Sequence, residues 1–236
     1  MAAPLDGRIA LITGASRGIG AASALALARL GAHVVLCART QGGLEEVDDT
    51  LRAEGREATL IPLDLTAGET VDALGPSLFQ RFKRLDILVH AAGTLGRLTP
   101  APHIQNKDFA EASGVHIDAT WRLIRSCGPL LQAAPEGRAV FLADARARAP
   151  KGYWGIYAAT KAAEEMLALC WADENRTGRL RINLFDPGPV ATRLRRQAFP
   201  GEDIADLRRP EDVAPAIAAL CLPGETRHGE RIAMPG

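Results

Sequence analysis

Tyr157 and Lys161, in the run Tyr157-Ala158-Ala159-Thr160-Lys161, have the types and spacing to move a proton. Residues four apart on a helix share a face, so the phenol and the ammonium project together. A nearby ammonium stabilises the phenolate, lowering the tyrosine pKa toward working pH and suiting it to general acid–base catalysis. Tyrosine is rare in this chain, occurring only at 153 and 157. A second signal lies far upstream, in Thr13-Gly14-Ala15-Ser16-Arg17-Gly18-Ile19-Gly20. It follows the apolar residues 8–12 and leads into an Ala/Leu-rich stretch over 21–30. Glycines let a backbone turn tightly against a pyrophosphate, and a helix N-terminus adds free N–H groups and partial positive charge. The spacing G-x-x-x-G-x-G at the first strand of an alternating chain therefore points to dinucleotide binding.

Two further positions refine that reading. After the second strand, Cys37-Ala38-Arg39 stands where an enzyme for unphosphorylated NAD carries an acidic residue on the ribose 2′-hydroxyl. Ala38 does not fill that role, whereas Arg39 and Arg17 offer charge-assisted bonds to a 2′-phosphate, so NADP(H) is expected over NAD(H). The plainer alternative is two solvated surface arginines. In Leu63-Asp64-Leu65-Thr66, Asp64 is a candidate to hold an adenine amino group, while Thr66 with Glu69 reads as a helix start.

These residues need a frame, and the chain supplies one. Short apolar runs alternate with longer Ala/Leu segments, placing strands over 9–13, 33–38, 58–62, 87–90, 139–143, 181–185 and 231–234. Helices are expected over 18–30, 43–54, 71–82, 106–131, 157–175 and 210–222. Strands apolar on both faces and separated by helices imply an α/β architecture, a doubly wound parallel sheet covered on both sides. With 236 residues and no long Gly/Ser/Pro linker, one domain over 1–236 is expected. The irregular stretches 144–155 and 187–209 both follow strand C-terminal ends, where open parallel sheets bind ligands, and 187–209 is the candidate substrate loop.

Composition narrows the partners. Lys plus Arg and Asp plus Glu number 28 each, so the zero net charge favours neither nucleic acid nor an anionic membrane. The four cysteines form no C-x-x-C pair, and Cys37, Cys170 and Cys221 lie in apolar segments as expected of buried thiols in a reducing compartment. Five scattered histidines suggest no metal site. Residues 1–7 are too short and polar for a signal peptide, and no apolar run spans a bilayer. A cytoplasmic protein acting on a small molecule is the expectation.

The motifs together resemble the short-chain dehydrogenase/reductase family over essentially the whole chain. The match rests on residues 13–20, Asp64-Leu65, Ala91-Ala92-Gly93, Tyr157-x-x-x-Lys161, and Asn183-Leu184-Phe185-Asp186-Pro187-Gly188 with Thr192. It narrows to YciK-type bacterial oxidoreductases through Arg84-Leu85-Asp86, Gly93-Thr94-Leu95-Gly96, Trp154-Gly155-Ile156-Tyr157-Ala158-Ala159 and Pro235-Gly236. The resemblance implies a seven-stranded Rossmann sheet, a nicotinamide cofactor, and hydride exchange between a carbonyl and an alcohol. It implies a cofactor lying along Gly14, Ser16, Arg17, Gly18, Ile19 and Gly20, then Arg39, Asp64 and Leu65. Beyond these it implies Ala91, Ala92 and Gly93, then Tyr157 and Lys161, and last Pro187, Gly188, Val190 and Thr192. It also implies a homodimer or homotetramer packed through the long helices near 106–131 and 157–175.

The family's Asn, Ser, Tyr and Lys are only half kept. The Ser position, thirteen residues before the tyrosine, holds Asp144, and neither Ala143 nor Ala145 replaces the hydroxyl. The Asn position falls on His116, and the turn after the fourth strand reads His90-Ala91-Ala92-Gly93. An ionised Asp is acceptor-only, so it repels a carbonyl oxygen and raises the Tyr157 pKa. His116 is a candidate to support a proton-relay water, and a direct Asp144–His116 pair stays open. Two readings follow. The first is an NADP(H)-dependent oxidoreductase with Tyr157, Lys161, Asp144 and His116 at its catalytic centre. Arg146, Arg148, Lys151, Arg193, Arg195 and Arg196 then hint at an anionic substrate, or are merely solvated charges. The second is a cofactor-binding protein with little catalysis, a redox sensor or an assembly partner.

Overall fold

The computed structural model describes residues 3–234, and Pro235-Gly236 of the narrower resemblance lie outside them. Seven runs rich in Val, Ile and Leu form the sheet: β1 (Ile9–Thr13), β2 (His33–Ala38), β3 (Ala58–Pro62), β4 (Ile87–His90), β5 (Arg138–Leu142), β6 (Arg181–Asp186) and β7 (Arg231–Ala233). Every pair is parallel, in the order β3-β2-β1-β4-β5-β6-β7. Between them run α1 (Gly18–Arg29), α2 (Gln41–Ala53), α3 (Gly68–Asp72), α4 (Leu74–Phe82), α5 (Asn106–Ser113), α6 (Ala119–Ala133), α7 (Gly155–Glu174), α8 (Arg193–Ala198) and α9 (Pro210–Ala219).

The period of two along each strand divides the core. Ala10, Ile12, Val34, Leu36 and Val89 face one side, packed with Leu27 of α1, Leu44 and Leu51 of α2, and Val213 and Ile217 of α9. Leu11, Val35, Leu88, Phe141 and Leu184 face the other, against Leu74 and Leu78 of α4, Leu123 and Cys127 of α6, and Trp171 of α7. The doubly wound expectation holds. None of the helices among the described residues is long and apolar enough to cross a membrane.

Several boundaries differ from the sequence reading, each for a local reason. The expected helix over 71–82 opens at Gly68 and breaks at Ala73 into α3 and α4. Thr66 therefore caps no helix; its N–H and hydroxyl both donate to Asp64 Oδ1, at 2.9 and 2.8 Å. The expected helix over 106–131 is helical throughout, but Gly114–Asp118 winds as a π segment between α5 and α6. One extra residue in that turn re-aims a side chain inward, here His116. Helix α8 lies inside the irregular stretch 187–209, started by Thr192 Oγ1 accepting from the Arg195 N–H. Cys170 is exposed rather than buried, because the buried stripe of α7 runs through Tyr157, Lys161, Glu164, Ala168 and Trp171 and leaves position 170 outside. Cys127 is buried instead, on the inner face of α6.

The chain reverses direction across the sheet between β3 and β4, so β1 and β4 lie side by side while their following loops diverge. Their C-terminal residues, Thr13 and His90, are paired in register, and ligands of open α/β sheets bind above such a point.

Candidate active site

A cleft of about 600 Å³ opens over the C-terminal ends of the strands. All the residues singled out as catalytic or cofactor-binding line it, from the glycine loop at one end to Asp144, Tyr157 and His116 at the other. The glycines of the loop are required by space. Gly14 has φ +67°, and a Cβ there stands 2.8 Å from the Ala92 backbone. A Cβ on Gly20 stands 2.3 Å from the Gly14 carbonyl oxygen. At the start of α1, Arg17 is extended, no side chain caps the helix, and the first turn holds no acidic residue. Its first N–H groups are therefore left for an anion. This cradle fits a dinucleotide pyrophosphate.

The adenosine end is equally specific. Arg39 and Asp64 line the cleft beside Arg17. The Arg39 guanidinium stands 3.6 Å from Glu111, with both side chains exposed. Burial opposes the Asp64 charge, but the two Thr66 donors and Arg39 hold its carboxyl below the usual range.

Tyr157 sits on the first turn of α7, buried between Trp154 and His116, whose rings meet it edge-on at centroid distances of 5.7 and 5.8 Å. Its hydroxyl donates to Asp144 Oδ2 at 2.8 Å. Asp144 Oδ1 accepts from the Arg146 N–H at 2.8 Å, so both oxygens act as acceptors. Burial first, then the Asp144 charge and hydrogen bond, then Glu164 and Asp186, push the Tyr157 pKa well above 10. The expectation that Asp144 raises it is met, whereas the expectation that Lys161 lowers it is overturned. Burial and Asp144 outweigh it, and the Lys161 ammonium is itself engaged, donating to Glu164, three residues beyond it, at 2.8 Å and to the Leu142 carbonyl at 2.6 Å. An ammonium has three donors, so one is left for a cofactor ribose hydroxyl.

His116 is sealed. The Thr94 N–H donates to its Nε2 at 3.1 Å, so the ring proton sits on Nδ1 and is given to Thr160 Oγ1 at 2.8 Å, which itself donates to the Ile156 carbonyl. Both ring nitrogens are taken, so the ring holds no relay water, a correction to the sequence reading. Nor does it pair with Asp144. Burial first, then Lys161 and His90, hold His116 well below its ordinary pKa.

Sequence reasoning missed two groups under the cleft. His90 Nδ1 bonds Thr13 Oγ1 at 2.7 Å, and its Nε2 faces Glu164 Oε1 at 3.9 Å, beyond hydrogen-bond reach. Both are fully buried, and neither facing atom has a partner. Burial, then Lys161, hold His90 down at about 3. For Glu164 burial outweighs the ion pair with Lys161 and pushes it up to about 7. The altered turn at His90 and the three-residue step from Lys161 to Glu164 were the available signals.

The loop cations are mostly engaged. Arg148 is paired with Glu165 and Asp186, at 2.9 and 3.0 Å, and Arg195 with Glu202. Arg146 and Lys151 lie over the Trp154 ring. Leu95, Trp154, Leu194, Ala198 and Phe199 pack around Tyr157 as an apolar wall. Among the described residues, no group of three or more His, Cys, Asp or Glu is arranged to hold a metal.

Known proteins match this chain in sequence and fold. Residues 8–203 fit the family model described as short chain dehydrogenase. The chain is 36% identical over 214 residues to the oxidoreductase YciK of Escherichia coli (strain K12), covering 89% of this chain and 84% of that one. A short chain dehydrogenase from Shigella flexneri 2a, crystallised with NADP, matches with a TM-score of 0.93 and 33% identity over 99% of both chains. Another from Escherichia coli CFT073, crystallised with NADPH, gives the same TM-score and identity over 99% of this chain and 98% of that one.

Proposed function

The chain belongs to the short-chain dehydrogenases and is an NAD(P)-dependent oxidoreductase of that family, and from there we propose that it uses NADP(H) to interconvert a carbonyl and an alcohol. The observation that carries the reading is one cleft joining the glycine cradle to Tyr157 and Lys161. Residues 14–20 hold the pyrophosphate; Asp64 and Leu65 flank the adenine; Arg17 and Arg39 bind the 2′-phosphate. The NADP and NADPH of the two Shigella and Escherichia relatives support that preference. Ala91, Ala92 and Gly93 wall the cleft, Lys161 and Tyr157 hold the nicotinamide ribose, and Pro187, Gly188, Val190 and Thr192 line the nicotinamide end. When bound, the nicotinamide gives or takes the hydride.

The protein's part is the proton. Tyr157 and Asp144 share one hydrogen bond and one proton beside the apolar wall. In reduction that pair supplies the proton to the substrate oxygen; in oxidation the carboxylate draws it away. The test is turnover of ketones, aldehydes and quinones with NADPH, and of alcohols with NADP+. Measurable turnover with the phosphorylated cofactor is expected, and tight NADPH binding with no turnover of any of them contradicts the reading. We place a homodimer or homotetramer on the same footing, since α5, α6 and α7 expose Phe109, Trp121 and Met166 on the helices through which the family packs.

A further inference from the structure

Asp144 makes the reacting end of this cleft negative where carbonyl chemistry needs hydrogen-bond donors. Reduction of a carbonyl builds negative charge on oxygen, and a carboxylate beside it is repulsive. Here both Asp144 oxygens are acceptors, and the one phenol donor, Tyr157, points at Asp144. The charged groups that act on Tyr157 are Asp144 after β5, Glu164 on α7 and Asp186 on β6, while the His116 ring beside it is held neutral, in part by Lys161. Lys161 is paired with Glu164, Arg148 with Glu165 and Asp186, and Arg195 with Glu202, while Arg146 and Lys151 lie over the Trp154 ring; Asp144 is the charged group that touches the Tyr157 hydroxyl.

From the Tyr157–Asp144 contact and the apolar wall of Leu95, Trp154 and Phe199, we infer that the site also takes carbon–nitrogen substrates, reducing iminium ions and oxidising the corresponding amines. The inference rests on the nicotinamide-dependent reading above. An iminium carries an N–H donor and a positive charge, both of which Asp144 satisfies. A neutral imine takes its proton from solvent water, and the carboxylate then holds it in that protonated, reactive form. Hydride from NADPH adds to the carbon, the C=N π pair becomes the nitrogen lone pair, and the products are a neutral amine and NADP+. No proton leaves Tyr157, so its pinned hydroxyl is no obstacle. In the reverse direction the amine C–H pair leaves as hydride, and the charge that grows on nitrogen lies next to Asp144.

The test compares cyclic imines with ketones of the same ring size, using NADPH and the wild type, Asp144→Ser and Asp144→Asn proteins. The wild type is expected to favour the imine by tenfold or more in kcat/KM, and Asp144→Ser to reverse the order. Calorimetric binding of cyclohexylammonium and cyclohexanol to the cofactor-free proteins supplies a readout independent of turnover. The ammonium should bind the wild type at least tenfold more tightly than the alcohol does and lose that advantage in both variants, with circular dichroism confirming that they fold. A wild type that prefers the ketone, or an imine-to-ketone ratio unmoved by Asp144→Ser, overturns this inference and leaves the carbonyl reading standing. Asp144-dependent ammonium binding without turnover of either substrate supports the cation site and refutes the oxidoreductase reading. No turnover and no selective binding overturns both.

Discussion

Two imidazoles, His90 and His116, are buried and neutral beneath a site that also holds a buried ammonium. The unfolded chain takes up a proton on each near pH 6.5, whereas the native His90 resists until about pH 3. More protons bound in the unfolded state means stability that is complete above about pH 6.5 and falls as pH drops toward 3. Between pH 7.5 and 5, His90 alone should remove about 2 kcal/mol of unfolding free energy. Urea unfolding at the two pH values should show that loss shrinking by about this amount in His90→Asn; equal losses would refute the assignment. Arg39 tests cofactor choice. Its exposed contact with Glu111 is worth about 0–1 kcal/mol and is readily exchanged for a phosphate. Arg39→Ala should weaken NADPH binding by about tenfold or more, from the loss of a charge-assisted bond, and leave NADH unchanged. Fluorescence titration with both cofactors decides it, and an equal loss for both makes Arg39 a bystander.

At the scale of elements, the loop from β1 to α1 is set by clearance. Gly14→Ala places a side chain at φ +67° and against the Ala92 backbone, which should cost about 1–2 kcal/mol from the left-handed conformation alone. The melting temperature should fall and NADPH affinity with it; a variant that binds like the wild type would show the loop is not the cradle. Much of this level was legible in the sequence. Strands covered on both faces leave unbroken apolar runs, and β1 to β4 begin and end where those runs do. The sequence also pointed to Asp144 and His116, the first by its spacing of thirteen from Tyr157 and the second by the segment Val115-His116-Ile117, and both line the cleft. The π segment at Gly114–Asp118 was not, since one extra residue in a turn leaves no compositional mark. Helix α8 was hidden because six residues, four of them polar, inside a stretch bounded by Pro and Gly are too few to show a helical period. The direction of the Tyr157 shift depends first on burial and on the Asp144 contact, tertiary facts that the helical spacing of Tyr157 and Lys161 leaves open.

At the scale of the whole molecule, a neutral sequence folds into one twisted parallel sheet whose chemistry gathers at one edge. The outer faces of α5 to α7 remain more apolar than solvent favours, with Phe109, Trp121 and Met166 between 44% and 57% exposed. Light scattering should therefore find a dimer or tetramer, and Met166→Glu should shift it toward monomer; a monomeric wild type would refute the assembly. In the proposed reaction this cleft moves a hydride between NADP(H) and a substrate carbon. Supplying NADPH deuterated at the nicotinamide C4 position, with a panel of ketones and cyclic imines, tests it by mass spectrometry of the products. The expected product is an alcohol or amine heavier by one deuterium, at the carbon that carried the double bond. Oxidised cofactor with no labelled product, or no reaction at all, would contradict it.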